Sequence, residues 1–131
     1  MIFIDSNIPM YLIGASHPNK EAARTALERC IQRGERIVTS AEVLQEIIHR
    51  YHAVSRPDAI QPAFDALLGV VDEVYAVELA DVQRAKEIVL GATRLSSRDA
   101  LHAAVMQRRE VARIMSFDAG FDALAWVERV A

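Results

Sequence analysis

The chain reads as an α/β sandwich in which buried parallel strands alternate with pairs of helices. Two patterns predict this. Short continuous apolar runs, as in "MIFID" at 1–5 and "RIMS" at 113–116, each end at a cap or turn residue, which is how strands buried on both faces read. Between them lie longer stretches with apolar residues at i, i+3, i+4 and i+7, such as Leu44, Ile47, Ile48 and Tyr51, the signature of a helix with one buried stripe. At 131 residues the chain fits a single domain, 1–131, long enough to bury a core without staples.

In chain order, the first strand is Ile2–Asp5, followed by a helix over 7–13. "HPNK" at 17–20 breaks that helix from one over 19–33, and Gly34 sits where a C-terminal cap belongs. The strand Arg36–Thr39 leads into a helix over 41–53, with Glu42 three residues after Thr39 in capping-box relation. "SRPD" at 55–58 is a break before a helix over 58–70. The strand Val74–Val77 precedes a helix over 79–92, with Gly91 at its cap position. Ser96 and Asp99 share capping-box spacing at the start of a helix over 97–109. The strands Arg113–Ser116 and Trp126–Val130 complete a β-α-α-β-α-α-β-α-α-β-β order.

A composition of 52% hydrophobic and 25% charged residues is that of a soluble globular protein. No apolar run approaches the roughly 18 residues that span a bilayer, and no signal-type segment opens the chain. A cytoplasmic protein without a membrane partner is the expectation. The lone Cys30 excludes an internal disulfide or a Cys-based metal site and reads as a structural or surface thiol. The net charge of −3 excludes a surface coated in basic residues. Carboxylates around a cation, however, count as acidic while being neutralised in use. Lys20 and Lys86 are the only lysines, so the basic side is mostly Arg, whose planar fork grips phosphate.

Ligands of open parallel sheets bind outside the carboxyl ends of the strands, and several acids fall there. Asp5 ends the first strand, Asp118 follows the "RIMS" strand, Asp99 opens the helix "SSRDALHAAVMQRR", and Glu42 and Glu46 share one face of the helix after the second strand. Asp5, Asp99, Asp118 and Glu42 all have an alternative role at helix N-termini. Glu46 does not: it lies a full turn inside its helix, within "VLQEII". Unpaired carboxylates about 4 Å apart repel by about 4 kcal/mol at a protein-surface dielectric, so a cluster of them calls for a cation. Oxygen donors without Cys suit Mg²⁺ or Mn²⁺, and such a cation suits phosphodiester hydrolysis.

At these residues the sequence resembles the PIN-domain ribonucleases and, among them, the VapC-type toxins of toxin–antitoxin pairs. The likeness runs through "FIDSN" at 3–7, "VTSAEVLQEIIHRY" at 38–51, "LSSRDALHAAVMQ" at 95–107 and "IMSFDAGFD" at 114–122. Each piece alone is weak; their order is specific. The resemblance implies a PIN-like α/β/α sandwich with a central five-stranded parallel sheet. It also implies a metal-dependent endoribonuclease leaving a 5′-phosphate and a 3′-hydroxyl. Asp5, Glu46 and Asp99 would hold Mg²⁺ or Mn²⁺, with Asp118 as a further or water-mediated ligand. Ser6, Asn7, Arg98 and Ser116, which stands where the family more often has Thr, would orient water or phosphate. Glu42 and Asp122 are subsidiary candidates. The implied partners are an RNA substrate, a cognate VapB-type antitoxin and a second copy of the chain in a homodimer or larger assembly. The apolar residues Leu44, Ile48, Tyr51, Phe64 and Leu68 supply either core or a groove for a partner helix.

Other chemistries fit less well. The i,i+3 pairs Glu46–His49 and Asp99–His102 match the Glu-x-x-His spacing of di-iron bundles, which lack buried strands; His102 reads instead as a packed helix residue, and His49 and His52 as facing solvent or a partner. A phosphoacceptor receiver domain needs a late lysine, and none follows Lys86. A haloacid-dehalogenase-type phosphatase needs Asp-x-Asp, and the second position is Asn7. A PIN module that binds RNA or a partner without cleaving is the non-enzymatic alternative, which loss of an acid would favour; all four are present.

Overall fold

β1 (Ile2–Ile4) has three apolar side chains, all buried, and occupies the middle of a five-stranded sheet of order β3-β2-β1-β4-β5. The computed structural model describes residues 1–91 and 94–131. β2 (Ile37–Ser40) and β4 (Arg113–Met115) flank β1, while β3 (Glu73–Tyr75) and β5 (Glu128–Val130) are the edges. Every pairing is parallel, with Phe3 opposite Val38 on one side and Ile114 on the other.

The strand order dictates where the helices lie. β1 to β2 to β3 steps across the sheet in one direction, and β3 to β4 returns across it. Right-handed crossovers therefore put the first two helix pairs on one face and the third pair on the other. α1 (Asn7–Ile13), α2 (Pro18–Gln32), α3 (Ala41–Ala53) and α4 (Ile60–Leu68) pack among themselves, and α5 (Leu79–Gly91) packs on α6 (Ser97–Arg108). The result is the α/β/α sandwich read from the sequence. The connections reverse direction between β1 and β4, the crevice where open parallel sheets bind ligands.

Local chemistry differs from the sequence reading at a few points. Gly34 has φ +64° and closes α2 in the left-handed region that favours glycine. Gly91 is still helical and has no such φ, so the cap assigned to it is not there; residue 92, the expected end of that helix, lies outside the described residues. The Thr39–Glu42 capping box does not form, because the Thr39 hydroxyl donates to the Ile4 carbonyl of the neighbouring strand at 2.9 Å. Ser40 caps α3 instead, accepting from the Val43 amide. The expected helix over 58–70 begins with a 3₁₀ turn at Pro57–Ala59. Both edge strands are shorter than expected, β3 largely exposed and β5 largely half-buried, since an edge has only one neighbour to bury it.

Ala100, Ala103 and Ala104 of α6 are all fully buried, so the helix has no room for larger side chains where it packs on its neighbours. Asp81 of α5, also buried, accepts two bonds from Arg108 of α6, at 2.6 and 2.8 Å, and so fixes the two helices to each other. Replacing Ala103 with Leu will overpack this contact and lower stability by about 1–3 kcal/mol, measured as a denaturant midpoint shift. It will also weaken whatever function depends on the α6 residues Asp99 and His102.

Candidate active site

Asp5 follows β1 directly, and its carboxylate is held from three sides. The Ser6 amide donates to one oxygen at 2.7 Å, and the Ser116 hydroxyl, just past β4, donates to the other at 2.6 Å. The Asn7 side-chain amide reaches that same oxygen at 3.4 Å and Ser116 Oγ at 3.2 Å, while its own carbonyl accepts from the Phe117 amide. Ser116 Oγ also accepts from the Asp118 amide at 3.0 Å. One hydroxyl thus ties the ends of β1 and β4 together. Across the crevice, the Ser6 hydroxyl donates to Glu46 of α3.

The fourth wall is the N-terminal turn of α6. The Asp99 amide donates to Ser96 Oγ at 3.1 Å, which is half of a capping box; the Asp99 carboxylate turns away from the helix terminus toward Asp118 and Asp5. One turn on, His102 is fully buried, with both ring nitrogens unbonded among the described residues. Its Nε2 lies 3.7 Å from Glu46 and 3.8 Å from Asp5, an electrostatic approach rather than a hydrogen bond. Asp5, Glu46 and His102 each present a donor atom within 4.8 Å of the other two.

Burial and repulsion sort the protons in this cluster. Burial pushes Asp99 up to about 8, aided by the Asp118 and Asp5 carboxylates. Asp118, exposed and bonded to Asp99 and to the Gly120 amide, falls below the usual carboxylate range, so the two acids share one proton. Burial also raises Asp5, against the pull of His102 and Ser116. Burial would raise Glu46 too, but His102, Ser6 and the Arg50 charge hold it down at about 2. His102 is raised: burial opposes its charge, and Glu46, Asp5 and Asp99 outweigh burial. The cluster therefore holds a shared proton, and its acids bias His102 toward its charged form, where the carboxylates would otherwise repel. Its oxygen donors match a hard divalent cation, which would replace that proton.

Residues 2–127 match the PIN domain family. The chain belongs to it. Ribonuclease VapC13 of Mycobacterium tuberculosis is 57% identical over 131 residues, covering all of both chains. The crystal structure of VapC20 from the same species, described as a sarcin-ricin loop cleaving toxin, has a TM-score of 0.79 at 24% identity over the full length of both chains. The VapBC2 structure from Rickettsia felis, bound to a DNA fragment from its promoter, has a TM-score of 0.75 at 16% identity, again over both full chains.

Within this PIN fold, Asp5, Glu46, Asp99 and Asp118 come together at the rim, with Ser6, Asn7 and Ser116 bonded among them. Arg98 reaches to 3.9 Å of Glu46. Glu42 lies beside Arg98 and Ser97 along a groove toward α5. Asp122 is exposed and held by Arg129 through two 3.0 Å bonds, and it makes no contact with the other acids among the described residues. Two further residues belong to the site. His102, the i+3 partner of Asp99, reads from sequence as a packed helix residue but faces the acids, and Arg50, four residues after Glu46, shares its helix face.

The raised Asp99 value sets a pH dependence. Between its unfolded value near 3.8 and about 8, the folded chain keeps a proton that the unfolded chain has lost, so stability is full below that window and falls as pH rises through it. Asp5 and His102, also raised, act in the same direction. Melting of the metal-free protein from pH 5 to 8 will show a falling temperature, and Asp99→Asn will make the fall shallower.

Proposed function

We propose that the chain, as one PIN domain over 1–131, is a Mg²⁺- or Mn²⁺-dependent endoribonuclease and the toxin of a VapBC-type pair. The observation that carries this reading is the convergence of Asp5, Glu46, Asp99 and Asp118 on the crevice between β1 and β4. Asp5, Glu46 and Asp99 would hold the cation, with Asp118 at the exposed edge as a further or water-mediated ligand. When bound, the cation supplies Lewis acidity toward the phosphate and lowers the pKa of water.

The chain's own residues do the remaining work. Ser6 and Ser116 fix the Glu46 and Asp5 carboxylates, and Asn7 braces the Asp5–Ser116 pair. Arg98 and Arg50 offer guanidinium groups to the phosphate of the bound strand. Asp118, ionised and exposed, orients the incoming water for hydrolysis of the P–O bond, leaving a 5′-phosphate and a 3′-hydroxyl. No described helix is long and apolar enough to cross a membrane, and we place the activity in the cytoplasm, where its RNA substrate is.

The antitoxin and a second copy of the chain are the proposed protein partners, by likeness to the VapBC neighbours. Leu44, Tyr51 and Phe64 pack against the core, but Ile48 and Leu68 are 41% and 46% exposed, and α5 adds Leu79, Val82, Val89 and Leu90. These apolar surfaces are available to such partners.

Asp5→Asn, Glu46→Gln and Asp99→Asn will each abolish RNA cleavage in Mn²⁺ while leaving the circular dichroism spectrum unchanged, and Glu42→Gln will retain most of it. Mn²⁺ at a hundred times its Kd will stabilise the wild type by about 2.7 kcal/mol, and Asp99→Asn will gain little. A wild-type cleavage rate in any of the three would remove that residue from the site, and a wild type that binds RNA without cleaving it would leave only a binding module. Expression of the chain alone will arrest growth, and co-expression of its cognate antitoxin will relieve the arrest. Growth unaffected by the chain alone would count against the toxin assignment.

A further inference from the structure

Beside the acidic rim lies a second concavity of about 400 Å³, lined by Asn7, Met10, Tyr11, Arg50, Tyr51, Phe117 and Asp118. Its volume is at the small end of the range for ligand sites, about 300–1,000 Å³, which suits one nucleobase with its sugar. Two of its residues belong to the rim itself: Asn7 braces the Asp5–Ser116 pair, and Asp118 shares a proton with Asp99. A strand whose phosphate lies at the acids therefore runs across this pocket with its next residue.

The lining is unusual for this chain. Tyr11 and Phe117 meet edge to face at 5.2 Å, and His17 backs Tyr11 at 5.0 Å, which fixes the Tyr11 and Phe117 rings as a rigid wall. Tyr51 is half-buried and has no ring partner among the described residues. Arg36, Arg56, Arg108 and Arg129 each hold a carboxylate at 3.1 Å or closer. Arg50, by contrast, is exposed and makes no ion pair within 4 Å among the described residues, although its charge reaches both Glu46 and Asp118. Aromatic faces beside an uncommitted guanidinium are the two components of sequence-tolerant single-strand binding.

We propose that this pocket is the nucleobase subsite next to the cleaved phosphate: the rings of Tyr51 and Phe117 stack on the base, and Arg50 binds the backbone phosphate. Through this subsite the enzyme chooses where in a single strand it cuts. The proposal rests on the ribonuclease reading and deepens it.

The test separates the two. In the Asp99→Asn background, short single-stranded RNAs carrying 2-aminopurine at successive positions report stacking by quenching, independently of cleavage. Quenching at one position is expected, with binding weakened about 5- to 100-fold by Tyr51→Leu or Phe117→Leu and restored by Tyr51→Phe. Arg50→Gln, at an exposed position, will weaken binding and reduce the steepness of its salt dependence by about 0.7. In the active protein, end-sequencing of a cleaved random RNA pool will show a base preference beside the cut that Tyr51→Leu flattens. If the wild type cleaves RNA and these variants keep the same preference, quenching and salt slope, the subsite is refuted. Loss of antitoxin binding in those variants, with RNA behaviour unchanged, would refute it in favour of a peptide site. If the wild type cleaves nothing while quenching persists and responds to the variants, the ribonuclease reading fails and the RNA subsite stands.

Discussion

Like charges have to be held together at the end of this sheet, and much of the local structure answers that constraint. The Asp5 and Glu46 carboxylates, with donor atoms within 4.8 Å of each other, would repel by about 3 kcal/mol at an effective dielectric of about 20. Three devices contain the repulsion without a cation. His102, raised by the acids around it, places a ring nitrogen within 4 Å of both and is pulled toward its charged form by them. The hydroxyls of Ser6 and Ser116 and the Ser6 amide bond to the charged oxygens. Asp99 keeps a proton that it shares with Asp118. A divalent cation acts on the same balance, which makes proton release and metal binding two sides of one event.

The topology makes that gathering geometrically simple. Five parallel strands end on one edge, and reversal of the connections between β1 and β4 opens a crevice where Asp5 and Ser116 are neighbours despite 111 residues of separation. Helices from opposite faces of the sheet then supply Glu46 and Asp99. The alanines of α6 are part of the same design: a larger residue at Ala103 would lift the helix and carry Asp99 and His102 out of reach.

Chemistry and selection of the strand are spatially adjacent but built differently. Three of the acids, Asp5, Glu46 and Asp99, are buried, and Asp5 and Glu46 are held by hydrogen bonds within the protein. The neighbouring concavity is open, aromatic and flanked by Arg50, whose charge is uncommitted. A structural neighbour only 16% identical keeps the fold; in this chain Asn7 and Asp118 belong to both surfaces, so the bound strand links them.

The sequence by itself determined the layered α/β fold, because strand and helix periods and cap residues are local properties. It also singled out Asp5, Glu46, Asp99 and Asp118, through their places after strands or, for Glu46, inside an apolar helix face. Other features depended on partners far along the chain. Thr39 looked like a helix cap until the Ile4 carbonyl in the next strand took its hydroxyl, leaving Ser40 to cap α3. Gly91 looked like a helix cap, yet it is itself helical, the last residue of α5, without a left-handed φ. His102 read as core, and it is fully buried, but only the tertiary structure faces its ring to acids 56 and 97 residues away. Arg50 lay in view one turn after Glu46. Its neighbours Tyr11 and Phe117 come from two other segments, so the pocket exists only once the β1 and β4 ends are side by side.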